Sequence, residues 1–187
     1  ILISVDTFRS KIAEACVQKG ACIVNDISAG SLDKFMFEIV ADLQVPYFMM
    51  HMKGTPQTMQ SLATYEDVVK EVMFYFSERI NAARKLGIND VIVDPGFGFG
   101  KTLAHNLSLF NAIDQFVETG HPVLVGVSRK AMIGQVLGIE QADQRLIGSV
   151  AMALLAAQRG AAILRVHDVL ETKQAIDVWK TTIKEEN

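Results

Sequence analysis

The chain alternates between short apolar runs and longer stretches in which apolar residues recur every three or four positions. The short runs predict six buried strands, which begin at Ile1, Ala21, Pro46, Asp90, Pro122 and Ala162. Each run is followed by a segment with helical periodicity, and the predicted helices cover 8–19, 31–42, 65–86, 106–119, 145–159 and 169–183. The pattern therefore predicts an α/β chain built from repeated strand-helix units.

The predicted strands show little alternation, which is typical of strands buried on both faces and joined by helices. Such units form either a doubly wound sheet or a (β/α)8 TIM barrel. Every predicted strand ends in polar residues, namely Asp6, Asn25 with Asp26, His51, Asp94, Ser128 with Arg129 and Lys130, and Arg165 with His167. In a barrel every strand tip faces one mouth, whereas an open sheet gathers its contacts at one switch point. Six polar tips favour the barrel.

The chain is shorter than a complete barrel. A full barrel takes about 250 residues, and this chain has 187, half of them hydrophobic. We therefore expect a single partial domain over 1–187 that supplies strands three to eight, with two N-terminal units missing. Such an open barrel leaves unpaired strand edges around Ile1 and Ala162.

Composition narrows the classes of partner. The net charge is -3 and no basic stripe is present, which argues against nucleic acid as a partner. No apolar run approaches the roughly 18 residues of a membrane span, so no membrane partner is expected. Cys16 and Cys22 match no metal spacing and are too few for a disulfide framework, which favours a reducing, cytoplasmic location.

The segment DVIVDPGFGFGKT, from Asp90 to Thr102, carries the strongest local signal. Asp94 ends a buried strand, and three glycines in the next six residues let the backbone approach a ligand closely. Their spacing matches neither a P-loop nor a dinucleotide fingerprint. Phe97 and Phe99 are spaced so that one can face the mouth while the other packs below it, although either could be a core residue.

Asp6 and Asp94 are candidate ligands for a heterocycle. Ionised carboxylates only accept hydrogen bonds, and two acceptors suit adjacent N–H donors such as those of a 2-amino-4-oxopyrimidine ring. The alternative for both is capping of the next helix, which fits Asp6 better than Asp94. Of Asn25 and Asp26, one is expected to form an Asx turn and the other to face the mouth, and the pattern leaves the choice open.

The cationic tips predict contacts to anions and carbonyl groups. Arg129 and Lys130 begin a helix, where cations oppose the macrodipole, so a functional role is expected and Lys130 could donate to a carbonyl or ring nitrogen. Arg165 and His167 are two residues apart and share one strand face, as in an anion clamp. Alternatively, His167 is a buried histidine bonded to a neighbour such as Asp168. His51 could contact substrate, cap its loop or be structural, and no histidine spacing predicts a zinc site.

Taken in order, the segments SVDT, IVND, MHMKGTPQTMQ, VDPGFGFGKT, VGVSRK, IGSVAMALLAAQRGA and LRVHDV resemble bacterial dihydropteroate synthase. The resemblance runs over essentially the whole chain and implies a (β/α)8 barrel. It also implies a transferase of folate biosynthesis and sulfonamide target, which joins 6-hydroxymethyl-7,8-dihydropterin pyrophosphate to p-aminobenzoate. The products would be 7,8-dihydropteroate and pyrophosphate. A homodimer formed through the late helices is implied as well. The apolar segment 147–157, rich in small residues, could pack on the barrel or on a second subunit.

The resemblance also implies a role for each site residue. The pterin would be held by Asp6, Asn25, Met50, Asp94 and Lys130, and the p-aminobenzoate site would be lined by Phe99, Ser128 and Lys130. Arg165 and His167 would hold the pyrophosphate, so that the catalytic set is Asp94, Lys130, Arg165 and His167. Mg²⁺ is the implied cofactor, bound by the pyrophosphate and by loops of the missing units, with no metal ligand in this chain.

Two other functions remain possible from the residues. A methyltransferase barrel acting on methyltetrahydrofolate would share the Asp and Asn tips, but it would not need the Ser128–Lys130 tip and the Arg165–His167 clamp together. The chain could also be a non-catalytic, pterin-binding fragment left by truncation.

Overall fold

A computed structural model describes residues 1–183 and contains the predicted strand-helix repeat. The strands are β1 (Ser4–Asp6), β2 (Ile23–Asp26), β3 (Tyr47–Met50), β4 (Val91–Asp94), β5 (Leu124–Val125) and β6 (Ile163–Leu164). The helices are α1 (Ser10–Gln18), α2 (Met36–Leu43), α3 (Val68–Lys85), α4 (Leu103–Asn111), α5 (Ile113–Val117), α6 (Ala131–Leu137), α7 (Leu146–Gln158) and α8 (Val169–Thr182), and a 3₁₀ turn covers Ala142–Arg145.

Each predicted strand contains an observed one, but the helices differ from the prediction in three places. The predicted helix at 31–42 begins only at Met36, because 31–35 form turns. The predicted helix at 106–119 is two helices, α4 and α5, which meet at Ala112. Helix α6 was not predicted, because its seven residues follow a polar strand tip and are too few to show a helical period. It ends at Gly138 in the left-handed conformation that glycine adopts readily.

The strands are parallel and follow one another in sequence order. β1 to β4 form one ladder, the bridge between Val93 and Val123 continues it to β5, and β5 pairs with β6. The amide of Val93 donates to the carbonyl of Pro122 at 3.0 Å across this junction. Sequential order without a reversal is the order of a barrel, not of a doubly wound sheet. The predicted partial (β/α)8 barrel is therefore confirmed.

Alternate residues of the strands lie in two separate apolar layers. The outward residues pack under the helices, and they are Val24, Tyr47, Met49, Val91, Val93, Val123 and Val125. The inward residues form a smaller cluster, and they are Ile23, Phe48, Ile92, Leu124 and Ile163. Because both faces are apolar, the strands show little alternation in the sequence. Two residues further along each strand, the inward positions are Asn25, Met50, Asp94, Gly126 and Arg165, which places them at the strand tips.

Local capping positions two of the helices that follow the strands. The Asp67 carboxylate accepts hydrogen bonds from the amides of Val69 and Lys70 at the start of α3. At the start of α4, Thr102 and His105 form a reciprocal capping box. The cap at Thr102 ends the glycine-rich loop that leaves β4, so the length of that loop is set by the sequence.

The barrel is open on one side. Within residues 1–183, β1 pairs only with β2, and β6 pairs only with β5. Leu2 and Ile3 are exposed beside the free edge of β1, and Ala162 donates only toward β5. The two outer edges of the strand ladder, expected around Ile1 and Ala162, thus have no strand partner within the described chain. Over the same described stretch, no helix combines the length and apolarity that a membrane crossing requires.

Candidate active site at the carboxyl ends of the strands

The predicted site residues line two adjoining cavities at the carboxyl ends of the strands. The larger has a volume of about 360 Å³ and is lined by Met50, Asp94, Phe99, Ser128, Lys130, Arg165 and His167, together with Gly126 and Val166. The smaller, of about 220 Å³, is lined by Asp6, Asn25 and Arg165 above the inward cluster of the barrel. Arg165 belongs to both. The structure therefore brings every predicted site residue to one mouth.

Asp94 is a buried carboxylate whose ligand-facing side is the larger cavity. Its Oδ1 accepts a hydrogen bond from the Gly96 amide at 2.8 Å. Burial raises the pKa of Asp94, while Lys130 and then the Gly96 hydrogen bond act in the opposite direction. It does not cap a helix, because Thr102 caps α4. A buried carboxylate with one backbone donor is arranged to accept further hydrogen bonds from a ligand.

The glycine-rich loop after β4 passes close to the tip of β3. Gly96 has φ +73°, and a Cβ there would lie 2.0 Å from the His51 carbonyl oxygen. Only glycine fits such an approach. The loop places Phe97 in the core against Phe110 and leaves Phe99 half-buried in the lining of the larger cavity. Phe99 is therefore the residue that faces the mouth, and Phe97 packs below it.

Lys130 reaches from the tip of β5 to the same loop. Its Nζ donates to the Phe97 carbonyl and lies 4.9 Å from the centroid of the Phe99 ring. Burial lowers the pKa of Lys130, and the charge of Asp94 opposes that shift. The lysine thus presents a donor beside the Asp94 acceptor, which suits a ring carrying both kinds of group.

The tip of β2 shows which of its two polar residues faces the mouth. Asp26 is buried on the outer side, where Oδ1 accepts from the Ser28 amide at 2.8 Å and Oδ2 accepts from the Tyr47 hydroxyl at 2.6 Å. The bond from the Ser28 amide forms the Asx turn that was expected of one member of the pair, and the Tyr47 hydroxyl holds the other oxygen. Asn25 lines the smaller cavity, so the amide is the ligand-facing group.

Asp6 and Arg165 close the ring of tips from opposite ends of the strand order. Their side chains pair at 2.7 Å, from Nη2 to Oδ2, and both are about half exposed. Asp6 makes no helix cap, because the first amide of α1, that of Ser10, donates to Asp33 instead. An exposed ion pair is worth at most about 1 kcal/mol, so a charged ligand can readily replace it.

Two side-chain bridges hold the tips of β5 and β6 together. The His167 amide donates to Ser128 Oγ at 3.1 Å, and His167 Nδ1 lies 3.0 Å from the same oxygen. Next to them, Arg129 Nε donates to Asp168 Oδ2 at 3.0 Å. The alternative that His167 is buried and bonded to Asp168 is wrong, because His167 is exposed and Asp168 is engaged by Arg129. Arg165 and His167 face the mouth together, as their spacing predicted.

Sequence reasoning missed the part played by Lys101 and left His51 undecided. Both are buried, and Lys101 Nζ lies 3.0 Å from His51 Nδ1. The His51 ring packs edge-on against Tyr75 with centroids 4.9 Å apart, so its role is structural. The available signal was a lysine directly after a glycine-rich loop. Its spacing matches no phosphate-binding motif, so the sequence gives it no specific role.

The carboxylates at the mouth do not form a metal cage. Among residues 1–183, no group of three or more His, Cys, Asp or Glu side chains converges as metal ligands. Asp6 pairs with Arg165, and Asp94 lies near Lys130. Mg²⁺ in phosphate-handling sites is usually held by one or two carboxylates plus substrate phosphates. These residues alone therefore do not fit as a magnesium site.

The chain matches a described family over most of its length. Residues 1–167 match the pterin binding enzyme family. The dihydropteroate synthase of Escherichia coli K12 is 44% identical over 185 residues, which cover 98% of this chain and 65% of the relative. The dihydropteroate synthase of Haemophilus influenzae is 43% identical, and the match covers 96% of this chain and 66% of that relative. The chain thus spans about two-thirds of the length of these curated relatives.

Solved structures share the same arrangement. The Xanthomonas albilineans dihydropteroate synthase with 4-aminobenzoic acid has a TM-score of 0.94 and 44% identity, with 100% of this chain and 66% of that chain covered. The Thermus thermophilus enzyme in complex with 6HMPPP has a TM-score of 0.93 and 43% identity. The match covers 97% of this chain and 72% of that chain. On the family match, the relatives and the ring of polar strand tips, the chain belongs to the pterin-binding enzyme family.

Proposed function

We propose that this chain is the substrate-binding part of a dihydropteroate synthase, organised as one partial barrel domain over 1–187. The reaction joins 6-hydroxymethyl-7,8-dihydropterin pyrophosphate to p-aminobenzoate and releases pyrophosphate. The observation that carries the proposal is the convergence of a buried carboxylate, an amide, a lysine and an Arg-His pair on two adjoining cavities. The relatives named above support it, as does the Xanthomonas albilineans enzyme, which was solved with 7,8-dihydropteroate.

The pterin ring lies between Asn25, Asp94 and Lys130 in this proposal. Asp94 accepts from the 2-amino group and the neighbouring ring N–H, and these donors offset the cost of burying an ionised carboxylate. Lys130 donates to the carbonyl or a ring nitrogen, and Asn25 and Asp6 complete the polar edge. Met50 forms the apolar wall beside Asp94.

The diphosphate is held by Arg165 and His167, which line the cavity on one strand face. The guanidinium stabilises charge as it develops on the leaving group. The C–O bond between the pterin methylene carbon and the diphosphate breaks first, and the electron-rich dihydropterin stabilises the methylene cation. The ion pair with Asp6 keeps Arg165 extended across the mouth. The diphosphate then takes the place of the Asp6 carboxylate beside the guanidinium.

The p-aminobenzoate ring packs beside Phe99, with Ser128 and Lys130 nearby. Its amine nitrogen attacks the methylene carbon, forms the C–N bond and then loses a proton to solvent. An arylamine is already an uncharged nucleophile at neutral pH, so no strong catalytic base is needed. Sulfonamides would compete at this subsite because they share the arylamine.

Cofactor, assembly and location are further parts of the proposal. Mg²⁺ would be carried by the diphosphate and would neutralise its charge. A homodimer would form through α7, where Ile147 is 80% exposed and Leu155 is 41% exposed. A cytoplasmic location is supported by Cys16 and Cys22, which are free thiols.

The test is isothermal calorimetry of the chain with 6-hydroxymethyl-7,8-dihydropterin pyrophosphate. Asp94→Asn keeps the shape of the side chain but replaces one acceptor with a donor, so we expect affinity to fall about 100-fold, since charged hydrogen bonds are worth 1.5–3 kcal/mol each. Asp90→Asn is the matched control at the other end of the same strand, where Asp90 is exposed, and it should leave affinity unchanged.

A second variant separates the two halves of the site. Arg165→Ala should weaken inorganic pyrophosphate binding about tenfold while leaving the affinity for 6-hydroxymethyl-7,8-dihydropterin within about threefold. Unchanged pterin affinity in Asp94→Asn would falsify the assignment. Pterin binding without dihydropteroate formation, in the presence of p-aminobenzoate and Mg²⁺, would instead indicate a non-catalytic pterin-binding fragment. A methyltransferase would bind methyltetrahydrofolate and would be insensitive to Arg165→Ala.

A further inference from the structure

Lys101 is a buried lysine that lies behind the site without lining either cavity. Its side chain is folded under the glycine-rich loop, and the residue is 6% exposed. Nζ lies 2.9 Å from the Gly96 carbonyl oxygen, 3.1 Å from that of Phe99 and 3.0 Å from His51 Nδ1. The His51 carbonyl oxygen is a more distant neighbour at 3.4 Å.

The three short contacts match the three donors of an ammonium group. The ammonium can donate to all three partners, whereas a neutral amine has only two N–H groups and could meet His51 Nδ1 only as an acceptor. With Lys101 protonated, His51 Nδ1 accepts, which places the proton of the neutral ring on Nε2. Burial lowers the pKa of His51 to about 3, and the neighbouring Lys101 charge adds to that shift. The ring is therefore neutral and suited to accept.

The same contacts join two strand tips. Gly96 and Phe99 belong to the loop after β4, and His51 directly follows β3. The Gly96 carbonyl also accepts from the Phe99 amide at 3.1 Å, so Lys101 closes a turn that is already formed by the backbone. Without the ammonium, the buried Phe99 carbonyl and the His51 ring would lose a hydrogen-bond donor.

Everything that this loop contributes to the site lies between the anchored carbonyls of Gly96 and Phe99. The Gly96 amide donates to Asp94, the Phe97 carbonyl accepts from Lys130, and the Phe99 ring lines the larger cavity. A shift of the loop would therefore move the Asp94 carboxylate, the Lys130 ammonium and the Phe99 ring together. A displacement of a binding group by about 1 Å is enough to cause a large loss of binding or activity.

The charges around Lys101 account for how a buried cation is tolerated. The pKa of Lys101 is lowered to about 7. Burial is the main cause, the negative charge of Asp94 opposes the shift, and the positive charge of Lys130 adds to it. Asp94 is thus the nearby negative charge for two buried lysines. Hydrogen bonds to all three protons offset part of the remaining cost.

We propose that Lys101 is a positioning residue, whose ammonium holds the glycine-rich loop against His51 so that Asp94, Lys130 and Phe99 keep their binding geometry. The inference rests on the proposed function for the ligands concerned. Lys101 itself touches no substrate, and the anion clamp on β6 does not depend on it. Its loss should therefore affect the pterin and p-aminobenzoate, but not the binding of diphosphate.

The test compares Lys101→Met, which keeps the apolar stem and removes the donors, with Lys101→Arg, which keeps them. Lys11→Met at an exposed position is the matched control. Calorimetry on Lys101→Met should show affinity for the pterin pyrophosphate, and for p-aminobenzoate added to that complex, at least about tenfold weaker. Inorganic pyrophosphate should bind within about twofold of the unmutated chain. Lys101→Arg should recover part of the lost affinity, and Lys11→Met should change nothing.

The unequal effect on pterin and pyrophosphate binding separates positioning from general destabilisation, and nitrogen NMR of the His51 ring reports directly on the Lys101 contact. In the unmutated chain and in Lys11→Met, Nδ1 should show the shift of a hydrogen-bonded acceptor. In Lys101→Met that shift should be lost and both neutral tautomers should appear. Unchanged His51 signals, or an equal loss of pyrophosphate and pterin binding, would overturn the proposal. If the unmutated chain binds no pterin at all, the proposed function fails, and the ring signals still decide whether Lys101 holds His51.

Discussion

At the scale of single residues, burial divides the polar groups of the mouth into two kinds. Asp94 and Lys130 are largely withdrawn from water, so that their pKa values move toward the neutral forms. Asp6 and Arg165 stay about half exposed and pair with one another. The buried groups are suited to recognise an uncharged ring by fixed hydrogen bonds, and the exposed pair is suited to exchange partners with a charged ligand.

His51 should make the folded chain sensitive to acid. The unfolded ring binds a proton below about pH 6.5, whereas burial and Lys101 lower the pKa of the folded ring to about 3. The unfolded state therefore binds more protons between these values, and the free energy of unfolding falls as the pH drops through that window. From pH 7 to pH 5 the loss from this group is about 2 kcal/mol.

Urea unfolding of the unmutated chain and of His51→Gln at both pH values measures this contribution. The variant should be less stable at pH 7, but it should lose about 2 kcal/mol less between pH 7 and pH 5. An equal pH dependence in His51→Gln would show that folding does not lower the pKa of the ring.

At the scale of elements, the loop between β4 and α4 determines the shape of the mouth. Gly96 and Gly98 have similar left-handed φ values of +73° and +81°, but their surroundings differ. A Cβ at Gly96 would meet the His51 carbonyl oxygen at 2.0 Å, whereas at Gly98 the nearest atom is Lys130 Cδ at 3.4 Å. The first glycine is required for a close backbone approach, and the second only for its conformation.

This difference predicts unequal costs for the same substitution. Gly98→Ala should destabilise the chain by about 1–2 kcal/mol, which is the usual cost of a left-handed alanine. Gly96→Ala should cost about 2 kcal/mol more, because backbone must also move apart. Urea unfolding at pH 7 measures both. Equal losses in the two variants would mean that the tips of β3 and β4 are not held in contact at Gly96.

At the scale of the whole molecule, helix α7 exposes apolar side chains. Ile147 is 80% exposed and Leu155 is 41% exposed on this helix. A helix face related by a two-fold axis closes into a dimer. The α7 surface should therefore support a closed homodimer.

Sedimentation velocity of single-site variants tests this surface. Ile147→Lys should convert the proposed dimer into a monomer. Phe74→Lys is the control, because Phe74 is 65% exposed on α3, away from α7 along the chain. A shift in Phe74→Lys as large as in Ile147→Lys would rule out α7 as the dimer surface.

The amino-acid sequence by itself determined the strand-helix order, the polar residue at each strand tip and the shared face of Arg165 and His167. These features depend on periodicity and on spacings of two residues, which are local properties of the chain. Helix α6 is the exception, because it is too short to carry a visible period.

Only the tertiary structure decided between alternatives that share the same local pattern. Asn25 rather than Asp26 faces the mouth, because the Tyr47 hydroxyl and the turn at Ser28 bind Asp26 on the outer side. Lys101 acquired its role from His51, which is 50 residues away in the chain. Burial and partner choice depend on which strands come to lie side by side, and a one-dimensional spacing does not encode those distances.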